Sequence, residues 1–470
     1  MTSSGADRVA ACFKAYDVRG RTDVPGGLDD AFAYAVGWAF AQVSGAAEAA
    51  GAVAVGHDMR TSSPDLAAAL GDGLVAAGAD VVDIGLASTD LLYFASGRLD
   101  VPGVMVTASH NPAGWNGFKL CLSQARPVGR DTGLSDVADL TARALDAGRT
   151  PPLHAPPRPR SMGDRQRLDA LSLYAEHLHR LVPVRGRRLR VVVDAGNGMA
   201  GHTVPAVFAD LDVELVPLYF ELDGTFPHHE ANPLDHETLV DLQEAVVRHG
   251  ADLGLAFDGD ADRCFVIDER GRVVDPSGLT ALIAARELIR EPGAVIIHNL
   301  ICSRAVPEIV IKRGGHPVRT PVGHSLIKAE MAAQSAIFGG EHSGHFYFRD
   351  FWYADSGMMA ALHVLASAAE TDDTVSVLLS GYRRYRRSGE INSVVGDPLA
   401  VMGAVESAYA GASDVAVDHL DGVTVSHPDW WFNVRPSNTE PVLRLNVEGR
   451  DDATMARVRD DVLDRIRRHG

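Results

Sequence analysis

The chain has 470 residues, of which 46% are hydrophobic and 23% charged, a composition typical of a folded globular protein with several domains. Its net charge of −18, without a long basic run, excludes broad binding to nucleic acids or acidic membrane surfaces. The sequence contains no apolar run of the roughly 18 residues that a membrane span requires, and it predicts no signal peptide. Its four cysteines are far apart and show no zinc-binding spacing, so we expect a reduced, cytoplasmic protein.

A strand, a helical stretch and a second strand follow one another in three segments, residues 53–85, 189–219 and 294–320. This succession predicts βαβ units whose strands pair in parallel. In the first unit, Ser62 or Ser63 is predicted to cap the helix that begins near Pro64. The repetition predicts three related α/β domains.

The predicted domain boundaries follow changes in composition. Residues 148–161 are too rich in proline for a helix or strand, and an amphipathic helix is predicted over 162–182. After about residue 397, a helix, a strand pair and a closing helix over 453–468 indicate a smaller α+β domain. We therefore predict four domains, over residues 1–158, 159–272, 273–384 and 385–470.

The segment VMVTASHNP at residues 104–112 is an apolar strand followed by a serine turn. Active sites of open α/β sheets lie at such carboxyl ends of strands. The hydroxyl of Ser109 is a weak nucleophile that needs a nearby base or a stored phosphate. Lys119 is a candidate cation or acid for that phosphate, and His110 is a candidate for positioning. A turn merely capped by Ser109 and Asn111 remains the alternative.

The segment DLGLAFDGDADR at residues 252–263 is an apolar strand followed by three alternating aspartates, Asp258, Asp260 and Asp262. In an extended loop their carboxylates can converge on a hard cation such as Mg²⁺ or Ca²⁺. An EF-hand is disfavoured because Arg263 occupies the position that must be glycine and the flanks are strand-like. Arg263 is instead a candidate for neutralising phosphoryl oxygens, and a solvated acidic turn is the alternative.

Two further loops carry groups suited to recognising a sugar phosphate. In GGEHSGH at residues 339–345, Glu341 and Ser343 can bond neighbouring sugar hydroxyls, although a flexible glycine loop is the alternative. RPSNTEP at residues 435–441 lies between two predicted strands, and a plain hairpin turn is its alternative. Its candidate phosphate donors are Arg435, Ser437, Asn438 and Thr439.

Taken together, these motifs resemble those of the α-D-phosphohexomutase superfamily over nearly the whole chain. The matching strings are FKAYDVRG (13–20), TASHNP (107–112), NGFK (116–119), DGDADR (258–263), VGH (322–324), GGEHSGH (339–345) and RPSNTEP (435–441). The resemblance implies three related mixed α/β domains and a smaller C-terminal α+β domain around a central cleft.

The resemblance also implies roles for individual residues. Ser109 would carry the phosphoryl group and, with Asp258, Asp260 and Asp262, would hold Mg²⁺. Further catalytic residues would be His110, Lys119, Arg263, His324 and Arg19. The substrate would be bound by Tyr16, Glu341, Ser343, His345, Arg435, Ser437, Asn438 and Thr439.

The activity implied is a two-step exchange in which a phosphoserine converts a hexose phosphate to a 1,6-bisphosphate and then recovers the other phosphoryl group. The bacterial phosphomannomutase/phosphoglucomutase branch is the most similar, so we expect interconversion of mannose 6-phosphate and mannose 1-phosphate, with a hexose 1,6-bisphosphate as activator. Action on glucose phosphates or glucosamine phosphates, a phosphatase on the same scaffold and a non-catalytic sugar-phosphate sensor are the alternatives. We expect a monomer or homodimer whose partner is the small hexose phosphate.

One position departs from the family pattern. Some relatives carry a basic residue where this chain has Ile301, so either one phosphate contact is missing or Arg304 or Arg319 supplies it. His342 lies where relatives vary and is a candidate for tuning sugar preference.

Overall fold

The computed structural model describes residues 4–49, 51–148, 163–437 and 442–470, without the side chains of Ala49, His324 and Ser325. The predicted proline-rich linker therefore lies outside the described residues from position 149 onward. The chain forms two compact units. Unit 1 comprises Met1–Val274 and Ser343–Ser376, and unit 2 comprises Asp275–His342 and Val377–Gly470.

Helices and strands alternate along most of the chain. Up to residue 148 they are α1 (Gly5–Cys12), β1 (Val18–Arg21), α2 (Asp30–Val43), α3 (Ala46–Ala49), β2 (Ala52–His57), α4 (Ser63–Ala76), β3 (Asp80–Leu86), α5 (Thr89–Leu99), β4 (Gly103–Val106), β5 (Trp115–Leu122), β6 (Arg126–Pro127) and α6 (Leu134–Asp146). From 163 to 274 they are β7 (Arg165–Arg167), α7 (Leu171–Leu181), β8 (Leu189–Asp194), α8 (Ala200–Phe208), β9 (Val213–Leu218), α9 (Val240–His249), β10 (Leu253–Phe257) and β11 (Cys264–Asp268).

The remaining elements begin with α10 (Pro276–Arg290), β12 (Val295–Asn299), α11 (Ala305–Lys312), β13 (His316–Thr320), α12 (His324–Gln334), β14 (Phe338–Gly340), β15 (Phe346–Phe348), β16 (Ala354–Asp355), α13 (Gly357–Ala369) and α14 (Val375–Leu378). They end with β17 (Arg386–Val394), α15 (Pro398–Tyr409), β18 (Ala416–Asp418), β19 (Val423–His427), β20 (Trp430–Pro436), β21 (Val442–Gly449) and α16 (Asp452–His469).

The first sheet of unit 1 has the order β1-β5-β4-β2-β3-β7, with β6 beside β5. Strands β4, β2, β3 and β7 are parallel, and β1 and β5 are antiparallel to their neighbours. Helix α2 is apolar on nearly all sides and packs against α4, where a Cβ at Gly37 would lie 2.1 Å from the carbonyl oxygen of Leu70. Only glycine permits this close approach of two helices, which covers one face of the sheet with a dense apolar core.

The second sheet of unit 1 has the order β11-β10-β8-β9, with β10, β8 and β9 parallel and β11 antiparallel to β10. Strand β10 is buried along its whole length, as its apolar sequence LGLAF predicts. Unit 1 also contains the antiparallel pair β15 and β16 and the buried helix α13.

Unit 2 contains parallel strands in the order β13-β12-β14 and an antiparallel sheet in the order β17-β21-β20-β19-β18. Helices α15 and α16 pack on the antiparallel sheet through an apolar cluster that includes Val401, Val405, Val458 and Val462. The three predicted βαβ units are confirmed, because β2 pairs with β3, β8 with β9 and β12 with β13 in parallel. Mixed α/β sheets followed by an α+β segment confirm the expected fold class.

Two local predictions are wrong. The helix predicted over 162–182 begins only at Leu171, because residues 165–167 form β7 and extend the first sheet beside β3. Ser62 occupies the N-cap position of α4 but makes no side-chain bond to the helix backbone. Instead, Asn116 donates to the hydroxyls of Ser62 and Ser63 at 2.8 and 2.9 Å. Within the described parts of the chain, no helix is both long and apolar enough to cross a membrane.

Candidate active site

Ser109 lies on a tight turn just beyond the carboxyl end of β4. Its φ of 52° is left-handed, a conformation that costs a residue with a side chain roughly 1 kcal/mol. The amide of Ser109 donates to Thr107 Oγ1 at 2.9 Å, and the amide of Asn111 donates to the carbonyl of Ala108 at 3.1 Å. Ser109 is completely buried, so its conformation is set by the surrounding protein.

The three aspartates lie in the loop that joins β10 to β11. Asp258, Asp260 and Asp262 are each at most 1% exposed, and an oxygen from each lies within 4.8 Å of the others. A Cβ at position 259 would lie 2.4 Å from the carbonyl oxygen of Ser109, so Gly259 lets this loop approach the serine turn. Because antiparallel strands flank the loop, the EF-hand is excluded and the predicted strand context is confirmed.

The serine and aspartate loops meet directly. The hydroxyl of Ser109 donates to Asp258 Oδ2 at 2.8 Å, although the two residues are 149 positions apart. Burial raises the pKa of Asp258 to about 8, and the nearby charge of Asp262 adds to this effect. A dry cluster of three carboxylates is therefore stable in its ionised form only with cations beside it.

Lys119 and Arg263 supply positive charge to this cluster. Lys119 Nζ lies 2.6 Å from Asp260 Oδ2 and also bonds Asp262, and these carboxylates overcome burial and raise the pKa of Lys119. Burial disfavours ionisation of Asp262, but Lys119, His345 and Arg263 outweigh it and lower the pKa of this carboxyl. Arg263 Nε lies 3.3 Å from Asp258 Oδ2.

The carboxylate cluster fits a divalent cation. In the part of the chain that the structure describes, no group donates a hydrogen bond to Asp260 Oδ1 or Asp262 Oδ1, although both atoms are buried. Thr89 Oγ1 donates to Asp260 Oδ2 at 2.5 Å and so orients one potential ligand. Oxygen ligands without sulfur or imidazole are the set that Mg²⁺ and Ca²⁺ prefer.

His110 and Arg19 lie beside the serine turn. His110 Nδ1 accepts from Arg263 at 2.5 Å and lies 3.3 Å from Ser109 Oγ. The charge of Arg263, together with burial, lowers the pKa of His110 well below its usual value, so the imidazole is neutral. Arg19 bonds Asn111 Oδ1 at 2.5 Å and Asp17 at 2.7 Å. Tyr16, on the segment before β1, is half-buried.

The GGEHSGH segment lies partly in each unit. In unit 2, Glu341 is buried and accepts from Asn299 Nδ2 at 3.2 Å. In unit 1, Ser343 Oγ lies 2.9 Å from His345 Nδ1, and His345 Nε2 lies 3.6 Å from Asp262 Oδ1. The structure therefore brings His345 to the aspartate loop, a proximity that the sequence did not reveal.

The segment predicted to bind phosphate begins with the last two residues of β20 in unit 2, Arg435 and Pro436. Arg435 is 3% exposed, and its guanidinium donates to Glu390 Oε2 at 2.8 Å. The amide of Ser437 donates to the carbonyl of Val442 at 2.9 Å. Asn438 and Thr439 lie outside the described residues, and His324 begins α12 but has no described side chain.

Ile301 is buried in an apolar cluster with Leu300 and Trp431 in unit 2. The two candidate substitutes for a missing basic residue are already engaged. Arg304 donates to the carbonyls of Pro428 and Trp430, both at 3.0 Å, and Arg319 pairs with Asp418 at 2.8 Å.

Several supporting residues have no signal in the sequence, namely Arg60, Thr89, Asn299, Asp355 and Glu390. Arg60 and Thr89 contact the serine and aspartate loops, and Asp355 lies in one group with Asp262 and His345. Each acts through residues far away in the sequence, so no local pattern marks them.

One protein family matches the chain along most of its length. Models of the phosphoglucomutase/phosphomannomutase family match residues 10–144 and 172–271 with their alpha/beta/alpha domains I and II. They match residues 275–385 and 390–465 with alpha/beta/alpha domain III and the C-terminal domain.

Individual relatives match over nearly the full length. The chain is 40% identical to a phosphomannomutase of Escherichia coli (strain K12), covering 96% of this chain and 98% of that protein. It is also 40% identical to the phosphohexose mutases of Xanthomonas campestris pv. campestris (strain B100), covering 97% and 99%. A crystal structure of a phosphoglucomutase/phosphomannomutase family protein from Burkholderia thailandensis has a TM-score of 0.86 and 34% identity, covering 98% of this chain and 97% of that one. These matches, over all four domains, show that the chain belongs to the phosphoglucomutase/phosphomannomutase family of enzymes.

Proposed function

We propose that the protein is a phosphomannomutase that interconverts mannose 6-phosphate and mannose 1-phosphate through a phosphorylated Ser109. The observation that carries this proposal is the 2.8 Å hydrogen bond from Ser109 Oγ to Asp258 within a buried cluster of three carboxylates. A buried nucleophile beside a cation site is the arrangement that phosphoryl transfer requires. The choice of mannose rests on the 40% identity to the Escherichia coli phosphomannomutase.

Ser109 exchanges a phosphoryl group in each half-reaction. In the first, a hydroxyl oxygen of the hexose phosphate forms a bond to the phosphorus carried by Ser109, and the bond from phosphorus to Ser109 Oγ breaks. The sugar hydroxyl loses a proton and Ser109 Oγ gains one, so the products are a hexose 1,6-bisphosphate and free serine. In the second half-reaction, the other phosphoryl group of the bisphosphate returns to Ser109.

The surrounding residues hold and neutralise the reacting groups. Asp258, Asp260 and Asp262 would bind Mg²⁺, which would offset the negative charge that accumulates on the phosphoryl oxygens. Arg263, 3.4 Å from Ser109 Oγ, and Lys119 place further positive charge near the phosphorus. His110 accepts a hydrogen bond from Arg263 and so orients its guanidinium. Burial of the whole group keeps water from the phosphoserine, which favours transfer to a sugar over hydrolysis.

The recognition residues are assigned by their chemistry. We propose that Glu341 and Ser343 bond the sugar hydroxyls, and that Arg435 and Ser437, with Asn438 and Thr439, bind the phosphate that does not react. A planar guanidinium with neighbouring hydroxyl and amide donors suits a phosphate dianion. We further propose that Tyr16, Arg19, His324 and His345 contribute to the same site, and that the four predicted domains each supply one of its loops.

A mutase assay tests this proposal. The purified protein, with Mg²⁺ and a trace of glucose 1,6-bisphosphate, is given mannose 1-phosphate and, separately, glucose 1-phosphate. We expect formation of the 6-phosphates with mannose preferred, and loss of this activity in Ser109→Ala. A preference for glucose would make the protein a phosphoglucomutase, and release of inorganic phosphate would make it a phosphatase. Binding of the sugar phosphates without any turnover would overturn the proposal in favour of a sensor.

A further inference from the structure

The turn that carries Ser109 directs four backbone carbonyl groups toward one point. They belong to Ser109, Asn111, Pro112 and Trp115, in a stretch that follows β4 and precedes or begins β5. The carbonyl of Ser109 belongs to a fully buried residue, and a buried carbonyl group outside regular secondary structure needs a hydrogen-bond donor. The left-handed φ of Ser109 adds strain that other contacts must offset.

The guanidinium of Arg60 supplies all four donors. Its Nη1 donates to the carbonyls of Pro112 at 2.8 Å and Trp115 at 3.0 Å. Its Nη2 donates to the carbonyls of Ser109 at 2.7 Å and Asn111 at 2.5 Å. A planar guanidinium presents donors in a fixed fork, whereas a lysine ammonium is a single point with three donors. The geometry of the turn therefore matches arginine specifically.

Arg60 is itself held firmly in place. The residue is 1% exposed, and its Nε lies 3.3 Å from Oδ2 of the fully buried Asp58. Asp58 Oδ1 accepts from Ser63 Oγ at 2.5 Å and from the amide of Arg60 at 3.0 Å. The guanidinium also lies 5.0 Å from the ring centre of Phe226, a cation–π distance. Because the guanidinium of Arg60 is held by these contacts, it holds in turn the four carbonyl groups to which it donates.

We propose that Arg60 is a positioning residue that fixes the turn of Ser109 so that its Oγ faces the aspartate loop. Arg60 bonds the main chain of the turn, so it acts on the chemistry through the serine rather than through the substrate. Its removal frees the Ser109 carbonyl and lets the turn leave the left-handed conformation. A displacement of about 1 Å at a reacting atom lowers a rate by roughly a hundredfold. This inference rests on the proposed function, because it assigns Arg60 to the phosphoryl transfer of Ser109.

The test compares Arg60→Ala and Arg60→Lys with the wild type and with a matched control, Arg187→Ala. Arg187 also lies in unit 1 and bonds a backbone carbonyl, that of Thr371 at 3.0 Å, and an aspartate, Asp252 at 2.8 Å. Among the residues that the structure describes, none of the hydrogen-bond partners of the Arg187 side chain lies in the serine or aspartate loops. It therefore reports what the loss of a structural arginine does to the protein as a whole.

We expect kcat to fall by about a hundredfold in Arg60→Ala, with KM changed by less than about threefold, while Arg187→Ala retains its kcat. Intact-mass spectrometry is expected to show the same loss in the rate at which glucose 1,6-bisphosphate phosphorylates Ser109. Guanidinium at low millimolar concentration is expected to restore part of kcat in Arg60→Ala, but none in Ser109→Ala. A residue that only stabilises the fold would show neither a loss of kcat at nearly constant KM nor a recovery of kcat on addition of guanidinium.

Several outcomes would overturn the inference. They are an unchanged kcat in folded Arg60→Ala, a rise in KM alone, and an equal loss of kcat in Arg187→Ala. If Arg60→Ala does not fold, Arg60→Lys decides, because lysine keeps the charge that Asp58 pairs with but cannot bond four carbonyls; wild-type kcat in that variant would refute the inference. Absence of turnover in the wild type would instead refute the proposed function, so the two failures are distinguishable.

Discussion

At the Ser109 centre of unit 1, three buried carboxylates lie against Lys119 and Arg263, and the serine hydroxyl bonds one of them. In unit 2, two residues that we propose to recognise the sugar phosphate have separate partners: Arg435 pairs with Glu390, and Glu341 accepts a hydrogen bond from Asn299. Loss of one member of the first group leaves several charges unbalanced at once. Loss of a member of the second group weakens one contact. We therefore expect changes at the Ser109 centre to lower kcat and changes around Arg435 and Glu341 to raise KM.

The largest effect is expected from Ser109→Ala. Removal of the nucleophile should lower kcat for mannose 1-phosphate by on the order of 10⁴-fold or more. Affinity for the sugar phosphate, measured by calorimetry, should stay within a few-fold of the wild type, because Glu341 and Arg435, which we propose to bind the sugar phosphate, are unchanged in this variant. A parallel loss of affinity would contradict the separation between the two regions.

Lys119→Met tests the balance of charge in unit 1. The variant leaves Asp260 and Asp262 without their ammonium partner, so metal-free protein should lose about 3 kcal/mol of stability at pH 7. Added Mg²⁺ should restore stability more in the variant than in the wild type, because the cation replaces the lost charge. The measurement is the Tm with EDTA and with Mg²⁺. Equal Mg²⁺-dependent shifts of Tm in both proteins would contradict the expectation that the cation replaces the charge of Lys119 at these carboxylates.

Arg435→Lys should raise KM by roughly tenfold to a hundredfold and leave kcat within a few-fold. Lysine keeps the positive charge but cannot donate the two parallel hydrogen bonds that a planar guanidinium offers to a phosphate. Steady-state kinetics with mannose 1-phosphate measures both constants, and Arg319→Lys, whose guanidinium pairs with Asp418, is the matched control. A loss confined to kcat would place Arg435 in the chemistry instead.

Asn299→Ala should raise KM by about tenfold, because Glu341 loses a buried hydrogen-bond donor. The same amide lies 3.0 Å from His342 Nδ1, so the ratio of mannose to glucose turnover should also change. Kinetics with both sugar phosphates measures this. An unchanged KM and an unchanged ratio would exclude Asn299 from sugar recognition.

The smallest effect on activity is expected from His298→Gln, because we expect this substitution to change only the stability of the protein. Burial lowers the pKa of His298 to about 4, so the unfolded chain takes up a proton between pH 6.5 and 4 while the folded protein does not. Stability is therefore lost as the pH falls through this range, by roughly 2 to 3 kcal/mol from this group. Urea unfolding at pH 7 and pH 4.5 should show a smaller acid loss in His298→Gln than in the wild type. Equal losses of unfolding free energy in the two proteins would contradict the assignment of this acid-dependent destabilisation to His298.

Much of the site follows from strand ends that the sequence reveals. Ser109 and Asp258 each follow directly after an apolar strand. In the structure the hydroxyl of Ser109 donates to Asp258 Oδ2 at 2.8 Å. Lys119 could be placed on the strand that follows the serine turn. These predictions rest on local patterns of apolar and polar residues, which the sequence displays directly.

The contacts that sequence reasoning missed depend on distant backbone positions. Arg60 donates to four carbonyl groups about 50 positions away. Since every residue has a backbone carbonyl, the identities of these residues do not reveal that they accept hydrogen bonds from Arg60. His345, which directly precedes β15, lies near Asp262 in unit 1, and nothing in its local sequence marks this proximity. The serines before Pro64 look like helix caps but bond Asn116 instead, since a tertiary partner displaced the local one.

Ser109 itself is expected to carry the phosphoryl group between substrates, and a single-turnover experiment tests this most directly. Wild-type protein is first phosphorylated with ³²P-labelled glucose 1,6-bisphosphate, freed of small molecules, and mixed with one equivalent of mannose 1-phosphate. We predict that the label will leave Ser109 and appear in mannose 1,6-bisphosphate and then in mannose 6-phosphate, while Ser109 regains an unlabelled phosphate from the bisphosphate. Label that stays on Ser109 while mannose 6-phosphate accumulates would contradict this role of the serine.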